Sequence, residues 1–195
     1  ILKYFTVKKG TLTVGGKTCR DIAQEVGTPF YVYDLEIART KCRILRQALP
    51  ARIKIHYAIK ANPHPDIISG LHPVVDGFDV ASGGELQTAL QAGVVASSIG
   101  FAGPGKSMNE LEAACRAGIG SLNVESPDEI EKADGIAARL GKTLNVCLRV
   151  NPAYELAGSG MRMGGGPKQF GIDQEKIPDI LAGFSRWKNL RFKGF

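Results

Sequence analysis

The stretch GFDVASGGELQTALQAG, residues 77–93, decides the fold. Gly77 to Ala81 is a short, largely apolar run bounded by turn residues, which reads as a strand. Ser82-Gly83-Gly84-Glu85 is an S-x-x-E capping box. The serine hydroxyl takes a backbone N–H, and the glutamate reaches back to the cap's own N–H. The helix that follows ends at Ala92-Gly93, where glycine can take the left-handed turn that stops a helix. Strand, cap, helix and glycine stop make one unit.

The unit recurs along the chain. Ser98 to Ala102 is a strand, Ser107-Met108-Asn109-Glu110 its cap, and Ala117-Gly118 the end of its helix. Leu122 to Glu125 is the next strand, capped by Ser126-Pro127-Asp128-Glu129, with a helix ending at Leu140-Gly141. Leu144 to Val150 is a further strand. Upstream, Ile53 to Lys60 is a strand followed by a turn with Pro63 and Pro65 and a short helix from Asp66. Units spaced by ~20–25 residues are a supersecondary repeat, and strands alternating with helices imply a parallel sheet. Repeats this even favour a closed barrel over a doubly wound sheet. The expected fold is therefore α/β, a TIM-like (β/α)8 barrel.

A complete barrel takes ~250 residues or somewhat fewer. From Ile53 there are five strands, with Leu190 to Phe195 as a sixth. Residues 28–195 are thus expected to form an incomplete barrel, about six of eight strands, with unpaired backbone at the first and sixth. Inner parallel strands are expected to be apolar on both faces. Residues 1–27 stand apart. Tyr4 to Val14 reads as one strand ending at Gly15-Gly16, and Asp21 to Val26 as a short helix closed by Gly27. They are expected to contribute to a second, β-rich domain whose remainder is not in this chain. Phe30 to Tyr33 reads as a strand. Asp34 caps a helix whose apolar positions Leu35, Ala38, Cys42, Leu45 and Leu49 share a face, and Pro50 stops it.

Bulk properties narrow the function classes. The chain has 195 residues, 44% hydrophobic and 23% charged, enough for a sizeable core. The net charge is +6, without a run of five or more Lys/Arg, so no nucleic-acid partner is expected. No stretch approaches the ~18 apolar residues of a membrane span. The start, Ile1-Leu2-Lys3-Tyr4, is neither a signal peptide nor an initiator Met, so a few residues are expected in front of it. The cysteines Cys19, Cys42, Cys115 and Cys147 form no C-x-x-C pair, which suggests reduced thiols in a cytoplasmic protein and no zinc site.

Barrel active sites lie at the C-terminal ends of the strands. There stand Lys60, Asp79 with Glu85 beyond it, Gly103-Pro104-Gly105-Lys106, Asn123-Val124-Glu125-Ser126, and Arg149. A lysine that such a position keeps from bulk water is disfavoured as ammonium and becomes a Schiff-base nucleophile. The plain alternative is a strand-end lysine snorkelling to solvent. A rival motif is Gly100 to Ser107, which satisfies the P-loop pattern G-x-x-x-x-G-K-[ST]. Against it, no apolar strand ending in a magnesium-binding Asp follows, Ser107 already has a capping role, and the motif sits inside an even repeat. His56 and His64 flank Lys60 without companions at ligand spacing, so neither reads as a metal ligand. Phe184 and Trp187, on a late helix, read as core.

Tyr57-Ala58-Ile59-Lys60-Ala61-Asn62 resembles the cofactor-lysine motif of the alanine-racemase-fold (fold type III) pyridoxal-phosphate-dependent decarboxylases acting on diaminopimelate, ornithine and arginine. Thr28 to Asp34, Phe78 to Leu86 and Arg149 to Pro152 are similar to that family's segments in the same order and spacing. Gly158 to Gly171 resembles the subgroup associated with exosortase and exopolysaccharide gene clusters. It has Gln169-Phe170-Gly171 where the family has Lys-Phe-Gly, which argues against carrying over polyamine-type specificity. The resemblance implies decarboxylation of an amino acid, diaminopimelate or a related compound, through a Schiff base of pyridoxal 5'-phosphate on Lys60. Asp79, Glu85 and Arg149 would be polar groups beside the cofactor, no metal would take part, and the full-length protein would be a homodimer. Alternatives stay open. Capping alone accounts for Glu85, Asp79 and Arg149 could pair with each other inside the barrel, and the fold could serve binding without catalysis.

Overall fold

A computed structural model of the chain describes residues 4–153 and 170–195. The glycine-rich stretch from Gly158 through Gln169 lies outside the described residues. The chain divides into two compact units, residues 1–53 and 54–195, so the boundary expected after Gly27 falls inside the first.

In the first unit, the single strand expected over Tyr4 to Val14 is a hairpin. Strand β1 (Thr6–Lys8) pairs antiparallel with β2 (Thr11–Val14), and β2 with β3 (Lys17–Thr18). The physical reason is Lys9-Gly10. Both residues have positive φ, 48° and 73°, as a tight two-residue hairpin turn requires. Helix α1 (Cys19–Val26) starts two residues before the predicted Asp21, because Thr18 and Asp21 form a reciprocal capping box. The strand expected at Phe30 to Tyr33 does not form. Aromatic and β-branched content favours extended backbone, but a strand needs a partner for its N–H and C=O groups, and no described strand pairs with these residues. Tyr31 is 91% exposed. Helix α2 (Leu35–Ala48) begins where expected, with the Asp34 carboxylate accepting from the Glu36 and Ile37 amides.

The second unit is a run of parallel β/α units. Its strands are β4 (His56–Ala58), β5 (Gly77–Val80), β6 (Ile99–Phe101), β7 (Ser121–Val124) and β8 (Leu144–Leu148). Beyond β8 come the short pair β9 (Val150–Asn151) and β10 (Ile172–Asp173), and finally β11 (Leu190–Gly194). Six of these form one sheet in the order β11-β8-β7-β6-β5-β4, every pairing parallel. Neighbours in sequence are neighbours in the sheet, which is the connectivity of a barrel wall. The edges are β4 and β11, as expected. Helices α3 (Pro65–Leu71), α4 (Gly83–Gln91), α5 (Met108–Ala117), α6 (Pro127–Arg139) and α7 (Ile177–Ala182) complete the unit.

The core lies between the sheet and one helical layer. Phe78, Val80, Ile99, Phe101, Leu122, Val124, Val146 and Leu148 project from the sheet and are at most 1% exposed. The helices answer with residues three and four apart, Leu111, Ala114 and Cys115 on α5 and Ile130, Ala133, Ile136 and Ala137 on α6. The opposite face of the sheet differs from expectation. It carries His56, Asp79, Gly100, Ser121, Asn123, Asn145 and Cys147, so the strands alternate between apolar and polar or small residues. That face is the inside of the barrel wall. Polar and small residues there leave room and chemistry for a site, whereas two-sided apolar strands would fill it.

The caps also depart in detail from expectation. Ser107 and Glu110 form the reciprocal capping box. At Ser82 and Ser126 the serine accepts from the N3 amide, but the glutamate bonds the residue before the cap, Glu85 to the Ala81 amide and Glu129 to the Glu125 amide. The backbone explains it. Ser107 has φ −75°, whereas Ser82 and Ser126 are extended at −154° and −155°, which turns their own N–H away. Gly93, Gly118 and Gly141 end their helices at positive φ as expected.

Candidate active site

Because all six strands are parallel, the residues following them share one end of the sheet. Lys60 lies two residues beyond β4, Asp79 is the third residue of β5, and Arg149 follows β8 directly. The register sets Ala58 opposite Asp79.

Lys60 sits in a single 3-10 turn, Ile59–Ala61, and not in the strand that was read through to it. The turn is anchored on both sides. Ile59 is completely buried, and Tyr57 packs edge-on to Phe78 with ring centroids 6.2 Å apart. The Tyr57 hydroxyl donates to the Asn62 carbonyl at 3.2 Å, and the Asn62 amide donates to the Ile59 carbonyl at 3.0 Å. The backbone carrying the lysine is therefore held firmly. The lysine itself is exposed, against the burial expected from its strand-end position. The physical reason is topological: β4 is an edge of the described sheet, with no described strand paired on its outer side.

Asp79 and Arg149 do not pair with each other. The Asp79 carboxylate faces His56, with Oδ1 3.4 Å from Nδ1. Two glycines make room for this pair. A Cβ on Gly77 would lie 2.6 Å from the His56 ring, and one on Gly100 would lie 2.9 Å from Asp79 Oδ1. Contact with the Asp79 carboxylate holds His56 above the ordinary histidine pKa, helped by the charges of Asp79 and Asp76 and opposed by partial burial. Glu85 is half-buried, with Oε2 accepting from the Ala81 amide at 2.8 Å, one residue before the Ser82 amide that its capping position implied.

Arg149 belongs to a cluster of four charged side chains that sequence reasoning did not assemble. Its Nη1 donates to both oxygens of Glu125, at 2.9 and 3.1 Å, and its guanidinium lies over the Phe170 ring at 4.7 Å. Glu125 directly follows the seventh strand and also accepts from the Gly103 amide at 2.7 Å and the Gly171 amide at 3.2 Å. Glu129 accepts from Lys106 Nζ at 2.6 Å. Lys106 donates further to the carbonyls of Gly103 at 2.6 Å and Asn123 at 2.8 Å. The signal available in the sequence was a carboxylate, Glu125, standing at a barrel-strand end beside Arg149's strand.

The cluster disposes of the P-loop reading. A P-loop lysine must reach phosphate oxygens. The Lys106 side chain is 1% exposed, and its ammonium already meets two carbonyls and a carboxylate.

A cavity of about 370 Å³, within the range of small-ligand sites, opens at this end between Ala102, Asn123, Leu148, Arg149, Val150 and Phe195. It is lined by Arg149 but not by Lys60 or Asp79. Among the described residues no group of three His, Cys, Asp or Glu could hold a metal ion. No described helix is long and apolar enough to cross a membrane.

The described sheet is part of a β/α barrel wall, with polar residues on its inner face and cations at its C-terminal end. The sequence profile of the pyridoxal binding domain of pyridoxal-dependent decarboxylases matches residues 35–195, and the chain belongs to that family. It is 33% identical over 196 residues to a diaminopimelate decarboxylase of Aquifex aeolicus, covering 98% of this chain and 46% of that protein. It is 34% identical over 167 residues to an L-glutamyl-[BtrI acyl-carrier protein] decarboxylase of Niallia circulans, covering 86% and 39%. A crystal structure of diaminopimelate decarboxylase from M. jannaschii in co-complex with L-lysine superposes with a TM-score of 0.84 at 27% identity, covering 97% and 46%. The chain thus spans about half the length of the relatives it matches.

Proposed function

We propose that the full-length protein is a pyridoxal-phosphate-dependent decarboxylase of an α-amino acid, diaminopimelate or a related compound, with Lys60 as the residue that carries the cofactor. The observation behind this reading is Lys60 itself: a lysine on a firmly anchored turn at the C-terminal end of a barrel strand, at the end of the sheet where Asp79 and Arg149 also stand. The named relatives act on a free diamino acid in one case and a carrier-bound glutamyl group in the other, so the class they share is the α-amino acid carboxylate.

The donor set fits the cofactor. Lys60 offers an accessible amine to an aldehyde and Arg149 a cation to an anionic oxygen, both at the same end of the parallel sheet. When bound, the pyridoxal ring supplies an electron sink for the carbanion left by departing carbon dioxide. The chain's own residues do the rest. The Tyr57–Asn62 bond keeps the Lys60 backbone from drifting. Asp79, steadied by His56, presents a carboxylate on the inner wall, and Arg149 orients a negative group at the mouth. Glu85 is a further polar group at this end, held by its cap. The active form of the whole protein is a homodimer in this reading.

Borohydride reduction of the full-length, cofactor-loaded protein followed by peptide mapping tests the assignment. The label is expected on the peptide containing Lys60. A label on any other lysine, or none, refutes it.

A further inference from the structure

Glu125 is a buried carboxylate with three partner residues, yet the reaction as proposed assigns it no part. Its carboxylate is 3% exposed and joins three separate stretches: the Gly103 turn after the sixth strand, Arg149 after the eighth, and Gly171 just before the tenth. Its own amide is taken by Glu129, whose other oxygen holds the Lys106 ammonium. The two cations and two anions balance, so the cluster can stay charged without water. Arg149, by contrast, keeps 31% of its side chain exposed and lines the cavity at the mouth of the sheet. One end of the cluster is thus sealed in the protein, and the other reaches the proposed site.

We propose that Glu125 is a positioning residue, a buried carboxylate that fixes the Arg149 guanidinium at the cavity before any ligand arrives, with Lys106 and Glu129 fixing Glu125 in turn. The inference rests on the reading above, in which Arg149 serves the cofactor. An arginine side chain has four rotatable bonds and loses much freedom when ordered. Two contacts from one Nη1 to both carboxylate oxygens, with the Phe170 ring beneath, remove that freedom in advance. Pre-organisation of this kind lowers the cost of binding without adding a contact to the ligand.

Affinity of the full-length protein for pyridoxal phosphate, followed by visible absorbance, separates the possibilities. Glu125→Gln keeps the shape but removes the anion and sets an amide donor against a donor. It is expected to weaken cofactor binding at least tenfold, and Glu125→Asp to recover part of the loss. Arg149→Gln is expected to weaken binding as well. The double variant should be no weaker than Arg149→Gln alone, because Glu125 acts only through the arginine. Unchanged affinity in Glu125→Gln alongside a clear loss in Arg149→Gln overturns the positioning role. Unchanged affinity in both overturns the reading of Arg149 on which the inference rests. Should Glu125→Gln fail to fold, a crystal structure of the cofactor-loaded wild-type protein decides the matter: Arg149 bonded to Glu125 supports the role, and Arg149 detached from it overturns it.

Discussion

Lys106→Ala should be among the most damaging single substitutions in this half of the protein, although Lys106 touches no proposed ligand. The ammonium lies 2.6 Å from Glu129 and is 1% exposed. At an effective dielectric of ~20 the gross attraction at that distance is about 6 kcal/mol. Desolvating both ions cancels much of it, but truncating Lys106 leaves the Glu129 carboxylate without its cation and with the Glu125 amide as its only described donor, and breaking a buried pair in this way costs about 3–5 kcal/mol. The carbonyls of Gly103 and Asn123 lose a donor in the same step. Urea unfolding of the full-length protein, followed by circular dichroism, should show the loss. Combining Lys106→Met with Glu129→Gln should recover most of it, because two neutral side chains of similar volume replace the pair. A Lys106→Ala protein within about 0.5 kcal/mol of wild type, the range of an ordinary surface change, would refute the view that a buried ion pair organises this corner.

Asp79→Asn should lower the pKa of His56, read from the histidine Cε1 proton by NMR; the chain's other histidines, His64 and His72, serve as internal controls. Because the folded pKa of His56 is raised, the stability drawn from this pair is complete below the ordinary histidine value and is lost as pH rises through the raised one. The substitution should therefore destabilise more in mild acid than in alkali, and an equal effect at both would exclude the pair. The Asp76 charge remains in the variant but is outweighed by burial, so the upward shift should disappear. Gly171→Ala should lower the melting temperature by an amount equivalent to about 1–3 kcal/mol, the cost of a strained backbone. Gly171 has φ +79°, and an added Cβ would stand 2.9 Å from the Arg149 carbonyl and 3.1 Å from the Asn151 amide. An unchanged melting temperature would show that the Phe170-Gly171 segment does not pack as described.

The sequence by itself determined the repeating strand–helix unit, the parallel sheet, its strand order and the end at which Lys60, Asp79 and Arg149 stand. The unit is read from interactions within about four residues, since serine caps, glycine stops and apolar spacing act locally, and the parallel order follows from the regular alternation of strands with crossover helices. Tertiary structure decided what depends on partners far along the chain. Phe30 to Tyr33 has strand composition but no described strand beside it, and Lys9-Gly10 folds one apparent strand into two. Asp79 turned to His56, 23 residues away, because Gly77 and Gly100 left space, and not to Arg149. Glu125 met Arg149 across 24 residues, and Lys106 met Glu129 across 23. No local pattern distinguishes such a buried partner from a solvated charge. The choice is made when parallel strands come into register and bring their ends within hydrogen-bonding distance, where a buried charge must find its opposite or leave the interior.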